Sequence, residues 1–270
     1  MVDVIRLRSS VLEVGIDAQQ GGRLSSLQVH GHELLVQQTP TTSLLEWGCY
    51  PMSPWAGRVR DGIFVHDSAS FQLPLNSLQH ALHGTVFDRE WQVVLHDNTH
   101  VLMRTDFGDG WPLGGHVEQR VEISDNTVAL SLTAFADGTS MPVQVGWHPW
   151  FVRPQRIDAS FTQMLLCDEH GVATDQLVET TFAPTTIGTY DDCFVANAPS
   201  PLLTFAHGVQ LQLASDCHYW VVYDKPTHAV CVEPQSGPPN GFTLRPDVIG
   251  AGQSFTRNFH MTLAGYLQVE

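Results

Sequence analysis

Two short motifs each place an acid/base side chain directly before a proline: Glu233-Pro234-Gln235, and well upstream of it His148-Pro149-Trp150. The Pro Cδ pushes the preceding residue into extended geometry, so each side chain is expected to leave a strand end in a restricted direction. One carboxylate and one imidazole are enough for bifunctional proton transfer, in which one group removes a proton while the other delivers one. A positioned group of this kind typically contributes about 10²–10⁴-fold to a rate.

Strands must do the positioning. Glycine (22 residues) and proline (16) punctuate the whole chain, and the segments between them are short, rich in β-branched and aromatic residues, and alternating. The expected strands are Val11–Ile16, Trp91–Leu95, Val101–Phe107, His116–Ile123, Thr127–Ala136, Met141–Trp147, Val209–Leu213, Trp220–Tyr223, Ala229–Glu233 and Phe255–Leu263. Asp97-Asn98, Asp125-Asn126 and His207-Gly208 fall between such runs and mark hairpins. No amphipathic helix exceeds two turns, so the chain reads as all-β, a single domain over residues 1–270. Successive side chains of a strand face opposite ways. Val143, Val145 and Trp147 therefore share one face and Gln144, Gly146, His148 and Trp150 the other, while Ala229, Cys231 and Glu233 oppose Val230 and Val232. With the apolar faces turned into a sandwich core, His148 and Glu233 look out into a concave opening.

Composition removes several function classes. The 28 acidic residues outnumber the 13 Lys and Arg, giving a net charge of −15 with no basic run, which disfavours nucleic acid and anionic membrane surfaces as partners. Lys225 is the only lysine and sits in Asp224-Lys225-Pro226, a surface turn, so Schiff-base chemistry and a Walker phosphate loop are not expected. The five cysteines, Cys49, Cys167, Cys193, Cys217 and Cys231, are odd in number and lack a C-x-x-C pair. They read as buried free thiols in a reducing compartment. With no signal-peptide core at Met1 and no span of about 18 apolar residues, a cytoplasmic protein is expected. His30-Gly31-His32-Glu33 superficially suggests a His-x-His metal site but reads better as a polar turn between strands.

Further blocks supply a resemblance. Tyr50-Pro-Met-Ser-Pro-Trp55-Ala-Gly57-Arg58 precedes Leu82-His83-Gly84, then Gly146-Trp147-His148-Pro149-Trp150-Phe151 and Val232-Glu233-Pro234-Gln235-Ser236. In this order, from about Gly21 to the end, they resemble the aldose 1-epimerases (mutarotases) of the galactose-mutarotase-like superfamily. The resemblance implies a large antiparallel β-sandwich, the supersandwich of that superfamily, with few short helices. It also implies interconversion of the α and β anomers of a free hexose of the glucose or galactose type, without metal or organic cofactor. Glu233 would be the base toward the C1 hydroxyl and His148 the acid toward the ring oxygen. Arg58 and His83 would donate to sugar oxygens, and Asp191 would accept from sugar hydroxyls, with Asp192 its close competitor. Trp55 and Trp150 could stack on the C–H face of a sugar. Two positions depart from the family: Gly57 stands in place of the usual asparagine, and Phe87 where related bacterial sequences often carry arginine. The expected partner is a small sugar, bound by a monomer or weak homodimer.

Three other readings are open. A hexose-6-phosphate 1-epimerase would need a basic cluster, for which Arg58, Arg60 and Arg89 are available. A carbohydrate-binding β-sandwich without turnover would need the cleft but not the proton-transfer pair. A glycosidase would need a second carboxylate about 5–10 Å from Glu233, a place Asp191 or Asp192 could fill.

Overall fold

The computed structural model describes residues 4–183, 188–197 and 199–266. Two large antiparallel sheets hold most of the strand residues. One has 11 strands and carries, side by side at its centre, Cys49–Met52, Gly146–Val152, Ala229–Gln235, Tyr219–Tyr223 and Asp191–Val195. The other has 8 strands and runs from Gln92–His96 at one edge through His116–Ile123, Thr127–Phe135 and Ser254–Tyr266 to Arg156–Asp158 at the other. The one α-helix among the described residues is the single turn Gly241–Leu244. Among the described residues no helix is long and apolar enough to cross a membrane.

Period-two burial drives the two sheets together. Thr127–Phe135 alternates half-buried and buried residues along its whole length, sending Val128, Leu130, Leu132 and Ala134 inward. From the facing sheet come Trp147, Val222, Val230 and Val232, in the same continuous core. Trp147 and Trp220 both pack on Phe259, with ring centroids 5.8 and 6.1 Å apart. A polar strut crosses this interior. Trp147 Nε1–H donates to Gln119 Oε1 at 2.9 Å, and Gln119 Nε2–H donates to the Gly22 carbonyl at 2.6 Å. Burial of Gln119 is tolerated because both ends of its amide are paired.

Most of the expected strands form with ends shifted by one to three residues, and Asp97-Asn98, Asp125-Asn126 and His207-Gly208 each join antiparallel partners. His30-Gly31 is the turn between Arg23–Val29 and His32–Glu33. All five cysteines are free, and four are buried.

Two expectations fail. Met141–Trp147 is not one strand: Met141–Val143 pairs with Asp247–Ile249 in a separate ribbon, and the chain joins the large sheet only at Gly146. The break occurs where Gln144 N–H turns to the Pro54 carbonyl and Val145 N–H to Ser236 Oγ. His148 and Glu233 also lie inside their strands rather than at the ends. The prolines after them leave the backbone extended and withhold only a donor, which suspends pairing locally without ending the strand.

Trp147→Phe would leave Gln119 Oε1 buried without its donor and remove part of a fully enclosed ring. The expected cost is about 2–4 kcal/mol, measurable by urea denaturation; a loss below about 0.5 kcal/mol would contradict the strut's role.

Candidate active site

The register of two strands builds the centre of the site. Gly146 pairs with Gln235 and Trp150 with Cys231, which brings His148 directly opposite Glu233. No paired residues are found between those two pairs, where Pro149 and Pro234 have no N–H to give. On its other flank His148 pairs with Tyr50, and beyond Glu233 the row continues through Val221 to Cys193. Alternation puts this row on the face away from the main core, as expected from sequence.

His148 Nε2 lies 3.1 Å from Glu233 Oε1, and both side chains are buried. Gln235 Nε2–H donates to Glu233 Oε2 at 2.9 Å, so each carboxyl oxygen has its own neighbour. Burial pushes the Glu233 carboxyl well above its ordinary range; the Gln235 hydrogen bond opposes this, Asp191 adds to it and Arg58 opposes it. Burial pushes the His148 imidazole down, to about 3. Each group is thereby favoured in its uncharged form, and the pair holds a single proton.

His83 reaches the site from a left-handed backbone position with φ 61°. It is held by reciprocal bonds with one residue: its own N–H donates to the Gly57 carbonyl at 3.0 Å, and Gly57 N–H donates to His83 Nδ1 at 3.3 Å. Because Nδ1 accepts, the ring proton is on Nε2. The ring meets His148 edge-on with centroids 4.9 Å apart, and burial, followed by His148 and Arg58, holds its pKa well below the ordinary value. His83 is a neutral N–H donor. Gly57, at φ +68°, could not carry the family's asparagine in this backbone, since a Cβ would stand 2.9 Å from Pro239 Cα.

These groups line a cavity of about 370 Å³ together with Arg58, Asp191, Asp192, Trp150, Tyr223 and Lys225, a size suited to a small ligand. Arg58 comes from the short strand Arg58–Val59, paired with Ala81–Leu82, so the arginine and the Leu-His-Gly block arrive together. Strand alternation puts Asp191 on the same face as Cys193, and its Oδ2 lies 3.3 Å from Lys225 Nζ. Asp192 turns one oxygen back to accept Asp191 N–H at 3.2 Å, and burial raises its pKa. Both aspartates reach the cavity, each with one carboxyl oxygen engaged. Trp150 stacks on His148 at 5.5 Å and 14° and meets Tyr223 edge-on at 6.0 Å.

Trp55 is not part of the site. It is buried in the main core, 6.0 Å from Trp111, which in turn stacks on Phe64 at 5.1 Å. A large ring beside an aromatic cluster gains more from that burial than from exposure in a polar cleft. Arg60 and Arg89 are likewise absent from the cavity lining, paired with Asp168 at 2.7 Å and Asp106 at 2.9 Å. Phe87 packs under the site against Tyr50, 5.8 Å away.

Tyr50, Tyr223 and Gln235 also line the cavity, and the motifs alone give them no role. The alternation that selected Ala229, Cys231 and Glu233 runs on to Gln235 and was signal enough for it. Tyr50 and Tyr223 reach the site through cross-strand pairing, which one sequence does not reveal.

One side-chain group among the described residues has metal-like spacing: the ligand atoms of His83, His148 and Glu233 all lie within 4.8 Å of one another. The donor set does not fit an ion. A ligating histidine offers one nitrogen to the metal and donates the other N–H outward, whereas His83 Nδ1 already accepts Gly57 N–H and leaves the proton on the inward nitrogen.

A buried carboxyl–imidazole pair thus lies in a cavity on the sheet face away from the main core, with Arg58 and His83 in the lining. Residues 3–259 match the aldose 1-epimerase family, and the chain belongs to it. The Escherichia coli (strain K12) protein YphB, described as uncharacterized, is 32% identical over 116 residues, which span 41% of this chain and only 40% of that protein. Among solved structures, the GalM/aldose epimerase homologue from C. elegans superposes with a TM-score of 0.83 at 16% identity, covering 99% of each chain. The galactose 1-epimerase from Lactobacillus acidophilus does so with a TM-score of 0.80 at 19% identity, covering 95% of this chain and 92% of that one.

Because burial opposes charge on His148, its ring is expected to stay neutral between pH 5 and 8. Nitrogen NMR of the labelled imidazole checks this, and a titration midpoint near the ordinary value of about 6.5 would contradict it.

Proposed function

We propose that this chain is an aldose 1-epimerase that interconverts the α and β anomers of a free hexose of the glucose or galactose type. The observation carrying this reading is the 3.1 Å opposition of His148 Nε2 and Glu233 Oε1 at the floor of a sugar-sized cavity. Opening a hemiacetal requires loss of the C1 hydroxyl proton and gain of a proton at the ring oxygen, so an acid and a base must flank one C–O bond. Glu233 takes the first proton and His148 gives the second. Rotation about C1–C2 then presents the other face of the aldehyde, and reclosure with both transfers reversed yields the other anomer.

The proton count favours this chemistry. Ring opening needs carboxylate and imidazolium, which the resting uncharged pair reaches by passing the carboxyl proton from Glu233 Oε1 to His148 Nε2 across 3.1 Å, so the pair carries one proton throughout. Its uncharged form is the one that burial favours, so opening returns the pair to its resting state. His83 Nε2–H and the Arg58 guanidinium offer donors to oxygens whose charge changes during opening, and Asp191 offers an acceptor to the sugar's hydroxyls.

The phosphorylated-sugar reading has weaker support. Of the three arginines it could use, only Arg58 lines the cavity, and Arg58 and Lys225 there stand among Glu46, Asp191, Asp192 and Glu233. The non-catalytic reading leaves unexplained why a carboxyl and an imidazole are buried face to face.

Optical rotation of freshly dissolved α-D-glucose and α-D-galactose tests the proposal. The protein is expected to accelerate mutarotation of at least one of them, and Glu233→Gln to lower kcat by about 10²–10⁴-fold with the thermal unfolding midpoint little changed. No acceleration of either sugar, or full activity in Glu233→Gln, would refute it. Faster anomerisation of glucose 6-phosphate than of glucose would favour the phosphosugar enzyme instead.

A further inference from the structure

Gln235 is 1% exposed, lines the cavity, and has unequal use of its two amide ends. Its Nε2–H is bonded to Glu233 Oε2, while its Oε1 is buried without a hydrogen-bond partner among the described residues. When Glu233 acts as a base its carboxylate can only accept, so the amide must turn its nitrogen toward Glu233 and its oxygen away. The cross-strand neighbour Gly146 adds no side chain beside it. A buried acceptor left unpaired is costly, and its residue lines the same cavity as Glu233 and His148.

We propose that Gln235 is a specificity-determining residue whose Oε1 accepts a hydrogen bond from the C2 hydroxyl of the sugar while its Nε2–H orients Glu233. This rests on the aldose 1-epimerase reading. The anomeric carbon has three heavy-atom neighbours: the C1 oxygen, the ring oxygen and C2. Glu233 takes the first and His148 the second. The hydroxyl closest to the C1 oxygen is then the one on C2, and Gln235 is the buried acceptor beside the Glu233 oxygen that His148 does not contact. A single amide links substrate recognition to the alignment of the base.

The test measures kcat/KM, corrected for the spontaneous rate of each compound, on D-glucose or D-galactose and on their 2-deoxy, 3-deoxy, 2-deoxy-2-fluoro and 2-amino-2-deoxy analogues. The 2-deoxy and 2-fluoro compounds cannot donate from C2 and are expected to fall by about 10–100-fold, because the site's acceptor is stranded. The 3-deoxy and 2-amino compounds are expected to lose less than about 5-fold on the same principle. In Gln235→Met, which conserves volume, the parent sugar should fall to the level of its 2-deoxy analogue, leaving a ratio within about 3-fold. A 2-fluoro sugar turned over like the parent overturns the proposal from the wild-type protein alone, whether or not the variant folds. A Gln235→Met enzyme that keeps the wild-type ratio overturns it as well. If the parent sugars are not accelerated at all, the proposed function fails; if they are accelerated with no preference at C2, only the role of Gln235 fails.

Discussion

Water stabilises a carboxylate and an imidazolium strongly, and the floor of this cavity denies both groups that stabilisation while holding them 3.1 Å apart. The arrangement survives because the two exchange one proton and can both be neutral. Everything around the pair serves this condition. The register of two central strands places the residues opposite each other, two prolines interrupt the ladder between them, and Gln235 and His83 add donors that carry no charge. Moving either strand by one residue would send its acid or base into the apolar interior.

Beneath the pair lies a second uncommon burial. Arg23 is fully enclosed, and its guanidinium donates to the main-chain carbonyls of Gln20, Leu44, Trp47 and Phe87 at 2.6–3.0 Å. It lies over the Trp47 and Tyr50 rings, at 4.3 and 5.2 Å. Tyr50 stacks on His148 at 4.8 Å, and His148 on Trp150. A column of rings with a cation in it fixes the plane of the imidazole and anchors the segment carrying Leu45 and Glu46 to the cavity wall. Burial lowers the Arg23 pKa to about 10 and leaves it a cation at neutral pH, which further discourages positive charge on His148.

The fold was legible in the sequence because its physics is local. Alternation, β-branching and turn residues predicted strands such as His116–Ile123 residue for residue, and proline-flanked acid and base residues stood out for the same reason. Illegible features depended on distant partners. The fragments Ser-Pro-Trp55 and His-Pro-Trp150 look alike as candidates for sugar stacking, yet one ring found Trp111 and the other His148. Arg60 and Arg89 could not be told from Arg58 until Asp168 and Asp106 were seen to hold them. Gly57 looked like a departure from a motif, whereas it answers the approach of Pro239 from a loop far along the chain.

The free thiols bear on the aldehyde that the proposed cycle releases into the cavity at every turnover. An open-chain sugar is an electrophile, and an enzyme that generates one repeatedly risks being modified by its own intermediate. Cys193 and Cys231 share the sheet face with Glu233, and Cys167 lines the same cavity. Burial raises all three thiols, Cys167 to about 12 and the other two well above the ordinary value, so the nucleophilic thiolate is scarce. The one lysine, whose amine could form an imine, is engaged by Asp191. The cavity is thus poor in groups that attack carbon, a chemical self-restraint that the proposed cycle, with its reactive carbonyl, would require.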